Sequence, residues 1–163
     1  MRIQIVNDKD EIIGYKDHND RDPQKDIFRV TGLWITAGNG DILLAQRSFK
    51  TQGAGLWGPA VAGTVEEGET YESNILKEAE EEIGLVGIKP IIDRKMKSVN
   101  NEYFIQWFTA IVDRGYSFKK QDEEVEAVQW FKKEEIVKLL KEKPRMFLPY
   151  LKQYFNFFIK RAD

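Results

Sequence analysis

A chain of 163 residues, 42% hydrophobic and 32% charged, is long enough to bury one full core and polar enough to stay in water. The net charge of −2 argues against a surface that coats a nucleic-acid polymer, and the lack of cysteine excludes disulfides, thiolate nucleophiles and Cys-based zinc sites. No stretch reaches the ~18 apolar residues of a membrane span and no apolar leader opens the chain, so a cytoplasmic protein with no membrane partner is expected. Neither a repeat nor a low-complexity linker interrupts 1–163, which is read as a single domain.

In chain order, Ile3–Val6 and Glu11–Tyr15 flank the turn-rich Asn7-Asp8-Lys9-Asp10, which predicts a hairpin. Residues 17–26 follow as a polar loop, so 1–26 form an N-terminal hairpin and loop. His18, the only histidine, sits in that loop and is expected to be solvated. Phe28–Ala37 and Asp41–Arg47 are strand-like and joined by Gly38-Asn39-Gly40, a strong hairpin signal. Val61-Ala62-Gly63 is a small-residue strand, which lets a ligand approach the backbone closely.

Residues 63–85 read GTVEEGETYESNILKEAEEEIGL. Thr70 is a candidate N-cap and Gly84 a stop, with Tyr71, Ile75, Ala79 and Ile83 as the apolar stripe and Leu76 alongside. Glu78, Glu81 and Glu82 fall within about 100° of one another on that helix. Like charges so placed cost the helix roughly 0.2–0.5 kcal/mol per pair, and three converging carboxylates suit a hard cation such as Mg²⁺.

Further on, Ile88–Val99 and Glu102–Val112 read as strands around Asn100-Asn101, and Val125–Phe131 as another after the loop 113–124. Lys133–Glu142 reads as a helix. The aromatic tail, residues 146–161, is expected to be a C-terminal helix that packs on its own domain, with a homodimer contact as the alternative it allows. Phe28, Trp34, Trp57, Tyr103 and Trp107 have faces able to stack on a base, and the core is the expected place for each.

Gly63, Glu69, Lys77-Glu78-Ala79, Glu81-Glu82 and Gly84-Leu85 carry a fixed spacing that resembles the Nudix box. One position departs from it: Lys77 stands where the family has arginine. The resemblance implies a Nudix-type α/β/α sandwich, an α+β fold with a mixed sheet. It also implies a Mg²⁺-dependent hydrolase, Mn²⁺ substituting, that cleaves the diphosphate linkage of a nucleoside diphosphate derivative. By the same resemblance Glu78, Glu82, Glu81 and the carbonyl of Gly63 are metal ligands, and Glu69 and Lys77 form a structural ion pair. An extra ligand or base is expected from Asp122, Glu123 or Glu124. Arg47, Trp57 and Tyr103 are candidate substrate-binding residues.

The N-terminal hairpin, the Leu44–Ser48 segment and Trp57 also look similar to type I isopentenyl diphosphate isomerases. That enzyme needs a cysteine and a histidine where this chain has Ala62 and Thr64, so isomerase chemistry is not supported. A non-catalytic ligand-sensing module would be expected to lose box glutamates, and here all are kept.

Overall fold

The computed structural model describes residues 1–162. Its chain opens with β1 (Arg2–Val6), β2 (Ile12–Asp17), β3 (Ile27–Thr36) and β4 (Ile42–Arg47). Next come β5 (Trp57–Pro59), β6 (Val61–Thr64), α1 (Tyr71–Ile83), β7 (Ile91–Lys97) and β8 (Tyr103–Ile111). The remainder is β9 (Val125–Phe131), α2 (Lys133–Glu142) and α3 (Pro149–Ala162). The expected hairpin and both strands flanking Asn100-Asn101 are present, and Asn101 takes a left-handed φ of 65° in that turn.

The sheet is mixed, and β3 is its organising strand. It runs parallel to β8 from Phe28 to Thr36 and antiparallel to β6 from Val30 to Leu33. At its two ends it also meets β1 and β4. After the glycine turn only Ile35–Leu43 and Thr36–Ile42 pair, because β4 leaves to join β5 and β9.

Alternation along β3 and β8 divides the core into two layers. Leu33, Ile35, Phe108 and Ala110 face Ile75, Ala79 and Ile83 of α1. Trp34, Ile105 and Trp107 face Ile136 of α2 and Leu151, Tyr154 and Phe155 of α3. Helices therefore cover both faces of the sheet, giving the expected α/β/α sandwich. The aromatic tail packs on its own chain: the Trp107 and Tyr154 rings stack at 4.2 Å, and Tyr154 is fully buried. Among the described residues no helix is long and apolar enough to cross a membrane.

The N-terminal hairpin is fastened to the layer that carries α1. The Asp10 carboxylate, 7% exposed, receives hydrogen bonds from Arg29 at 2.8 Å, Lys95 at 2.5 Å and the Tyr71 hydroxyl at 2.9 Å. Burial alone would raise the carboxyl, but these three donors outweigh it and hold Asp10 below the usual carboxylate range.

Candidate active site

Local sequence starts and stops α1. The Thr70 side chain accepts from the Ser73 N–H while the Ser73 hydroxyl accepts from the Thr70 N–H, a reciprocal cap. Gly84 ends the helix at a φ of 66°. Ile75, Ala79 and Ile83 face the sheet as expected, whereas Leu76 remains 37% exposed. Asn74 takes a fully buried place that an apolar residue would normally fill. Its amide is satisfied there by the Thr64 carbonyl at 3.0 Å, Glu69 at 2.8 Å and the Thr31 hydroxyl at 2.5 Å. Asn74 thus ties the helix to β3, β6 and the preceding loop, a role its spacing alone does not announce.

Glu78 and Glu82 lie one turn apart and both point at β6. Gly63 makes this approach feasible, since a Cβ there would lie 2.3 Å from the Glu78 Cγ. Glu82 accepts a hydrogen bond from the Ala62 N–H at 3.3 Å. A third carboxylate arrives from the loop before β9. The loop is held by Lys119 N–H to the Ile83 carbonyl at 2.9 Å and Gln121 N–H to the Glu82 carbonyl at 2.8 Å, two acceptors left open at the helix end. Glu124 is thereby placed so that one oxygen each of Glu78, Glu82 and Glu124 lies within 4.8 Å of the others.

Such crowding is electrostatically costly. Burial pushes the Glu78 carboxyl up to about 7, opposed by Lys77 and reinforced by Glu81 and Glu124. Burial also drives Glu82 well above its ordinary value, with Glu78 and Glu124 adding to the effect. An all-oxygen, multiply charged donor set of this kind fits a hard divalent cation. Glu81 is exposed and lies outside the three-carboxylate group, because the turn of α1 that aims Glu78 and Glu82 at the sheet leaves it facing solvent. Of the three acidic loop candidates, Glu123 pairs with Lys50 at 3.2 Å and Asp122 pairs with Lys120, both at the surface.

The expected partnership of Glu69 and Lys77 is present and has a third member. The Lys77 ammonium contacts Glu69, reaches Glu66 at 2.5 Å and lies 3.8 Å from Glu78. Burial would lower the lysine, yet Glu66 and Glu69 hold it well above its usual range. Glu69 also accepts from the Glu66 N–H at 2.9 Å, and Gln4 of β1 donates to the carbonyls of both Glu66 and Glu69. The hairpin strand therefore braces the loop that braces the helix. Glu66 escaped sequence reasoning, although it is an acid three residues from Glu69 in the same tight loop.

A cleft of about 290 Å³ is lined by Glu78, Glu82 and Glu124 together with Arg47 and Thr51. Beside it, a cleft of about 480 Å³ shares Arg47 and Ala62–Thr64 and continues to Phe28, Tyr103 and Tyr150. Tyr103 thus lies on a cleft wall, with its ring 5.6 Å from that of Phe28. His18, expected to be solvated, is half-buried edge-on to Phe28 and lines the same cleft. Trp57 is half-buried, its ring packing edge-on against Phe131 at 5.2 Å beside the α2/α3 core layer.

Comparison with known proteins agrees with this architecture. A family model for the NUDIX domain matches residues 27–151. An uncharacterized Nudix hydrolase of Yersinia pestis is 28% identical over 137 residues, spanning 82% of this chain and 74% of that protein. A crystal structure from Deinococcus radiodurans superposes with a TM-score of 0.75 at 19% identity, covering 88% of this chain and 90% of that one. The NUDIX domain of Shewanella oneidensis NrtR, complexed with ADP ribose, gives a TM-score of 0.65 at 18% identity, with 89% and 96% coverage. The chain belongs to the Nudix family, and it stands among that family's hydrolases.

Proposed function

We propose that this protein is a Mg²⁺-dependent diphosphohydrolase that cleaves a nucleoside diphosphate derivative to a nucleoside monophosphate and a phosphorylated leaving group. The observation that carries this reading is the convergence of Glu78, Glu82 and Glu124 in a cleft that Arg47 also lines. Glu78 and Glu82 hold the cation, and the missing side chain of Gly63 keeps that space open. When bound, Mg²⁺ supplies charge neutralisation for the diphosphate and a more acidic water. Mn²⁺ serves in its place. Glu124, the most exposed of the three, acts as third ligand or as acceptor of the water's proton. A second cation would recruit Glu81 from the rim.

Lys77, Glu66 and Glu69 set the position of Glu78 without touching substrate. Arg47 meets the phosphates, and the wider cleft beyond it receives the nucleotide-type remainder beside Phe28 and Tyr103. The volume of that cleft falls within the range of small-molecule sites. On this reading 1–163 works as one cytoplasmic domain on a small substrate rather than a nucleic-acid polymer. The test is a screen of nucleoside diphosphate derivatives with Mg²⁺ or Mn²⁺, scoring phosphate released by a coupled phosphatase. Turnover of at least one that is abolished by EDTA supports the reading, and inactivity on all with either metal overturns it.

A further inference from the structure

The C-terminal helix reaches the active-site cleft through Tyr150 in its first turn. Phe147 forms a parallel bridge to Trp57, and the Leu148 N–H bonds the Trp57 carbonyl at 2.9 Å. This fixes the first turn of α3 across β5. The Tyr150 ring packs toward Trp107, 6.3 Å between centroids, and the residue lines both the wide cleft and a small cavity of about 30 Å³ that it shares with Arg47, Glu82 and Glu124. Glycines leave the room required: a Cβ on Gly58 would lie 2.7 Å from Leu148 and 3.8 Å from the Tyr150 hydroxyl.

Arg47 comes to the same place from β4. Its Nε donates to the Gln52 carbonyl at 2.7 Å, and no carboxylate lies within ion-pair distance of it among the described residues. A Cβ on Gly53 would crowd this guanidinium at 3.3 Å. The arginine is therefore steered by its Nε, and its guanidinium lies close enough to Tyr150 to act on that hydroxyl. Tyr150, facing Arg47 and Glu82, stays a neutral O–H donor because burial holds its proton. Tyr154, one turn later, differs: its hydroxyl is already committed to Asp93.

We propose that Tyr150 is a substrate-binding residue, its hydroxyl completing with Arg47 a phosphate subsite that needs no metal, beside the carboxylates Glu82 and Glu124. A fixed guanidinium plus a neutral hydroxyl donor matches the oxygens of a phosphoryl group. The subsite takes the phosphoryl group not held at the triad, so α3 supplies part of the recognition surface as well as part of the core. Its place in the reaction rests on the diphosphohydrolase reading above, but the site itself does not.

Inorganic phosphate is the probe, titrated calorimetrically into the metal-free protein in EDTA. Wild type should bind it, and Tyr150→Phe, which keeps the ring and its packing, should bind it about five- to tenfold more weakly at an unchanged Tm. Arg47→Gln should bind it more weakly still. With a diphosphate substrate the Tyr150→Phe loss should appear in KM, as expected for an interaction made in ground and transition states alike. Two results overturn the proposal: no phosphate binding by wild type up to about 50 mM, or equal binding by wild type and Tyr150→Phe. If phosphate binding falls in Tyr150→Phe while no substrate is ever hydrolysed, the subsite stands and the hydrolase reading fails.

Discussion

The Lys77 ammonium and the Glu66 carboxylate form an ion pair of 2.5 Å, within a cluster that also contains Glu69. One cation thus serves two loop carboxylates, and the side chains are only 31%, 36% and 17% exposed for Lys77, Glu66 and Glu69. Lys77→Ala should cost about 1–3 kcal/mol of stability and lower activity, because the loop loses its tie to Glu78. Glu69→Gln and Lys77→Ala should be strongly non-additive, since either change breaks the same contact. Lys77→Arg should keep or improve activity, its fork being able to meet both acids. Additive losses in kcat/KM would place Lys77 on the substrate instead.

Glu82 is the most costly carboxylate of the site when no cation is present, being buried beside Glu78 and Glu124. Glu82→Gln should lower kcat by at least about 100-fold. Its Tm without metal should be unchanged or higher, because the substitution removes a desolvated acid whose cost sets in as pH rises above the ordinary carboxylate value, near 4, and is complete above the raised folded value. Near-full activity in this variant would remove Glu82 from the metal site.

Glu123 and Glu124 are neighbours with opposite expectations. Mg²⁺ should raise the Tm of the wild type by binding only the folded chain. Glu124→Gln should shrink that rise if Glu124 is a ligand, or leave it intact and lower kcat if Glu124 takes the proton. Glu123→Gln, which breaks a surface pair with Lys50 of which both side chains are more than 65% exposed, should change stability by less than about 0.5 kcal/mol and leave the Mg²⁺ response alone. Thermal melts with and without Mg²⁺, together with kcat, separate the outcomes.

Asp10 makes a pH prediction. Its folded-state pKa is lowered, so its contribution is complete above the ordinary carboxylate value, near 4, and is lost as pH falls through the lower folded value. Asp10→Asn, which leaves Arg29 and Lys95 without their shared acid, should therefore destabilise by about 3 kcal/mol across pH 5 to 8. The gap to wild type should close as pH drops below about 4. Denaturant melts at several pH values check this, and a gap that widens on acidification would contradict it.

Which parts of this were legible beforehand follows the range of the interactions involved. Glu78 and Glu82 were readable because helical periodicity alone puts residues four apart on one face. Thr70 and Gly84 were readable because caps are local. The pairing of Glu69 with Lys77 came from the box spacing, while Glu66 became visible only when the loop folded back under Gln4. Glu81 shows the opposite limit: helix geometry grouped it with the others, and only the position of the sheet left it in solvent.

By itself, then, the amino-acid order determined the elements, the box helix and the family, because propensity, capping and fixed spacing act within a few residues. Tertiary structure decided what depends on contacts between segments distant in the chain. Glu124 rather than Glu123 joins Glu78 and Glu82 because carbonyls at the end of α1 capture the loop at Lys119 and Gln121. Trp57 was turned edge-on against Phe131 beside the core, and His18 and Tyr150 were brought to the cleft from the two ends of the chain. No local pattern encodes such meetings; they arise when both faces of one sheet are covered and the remaining side chains are left around the gap.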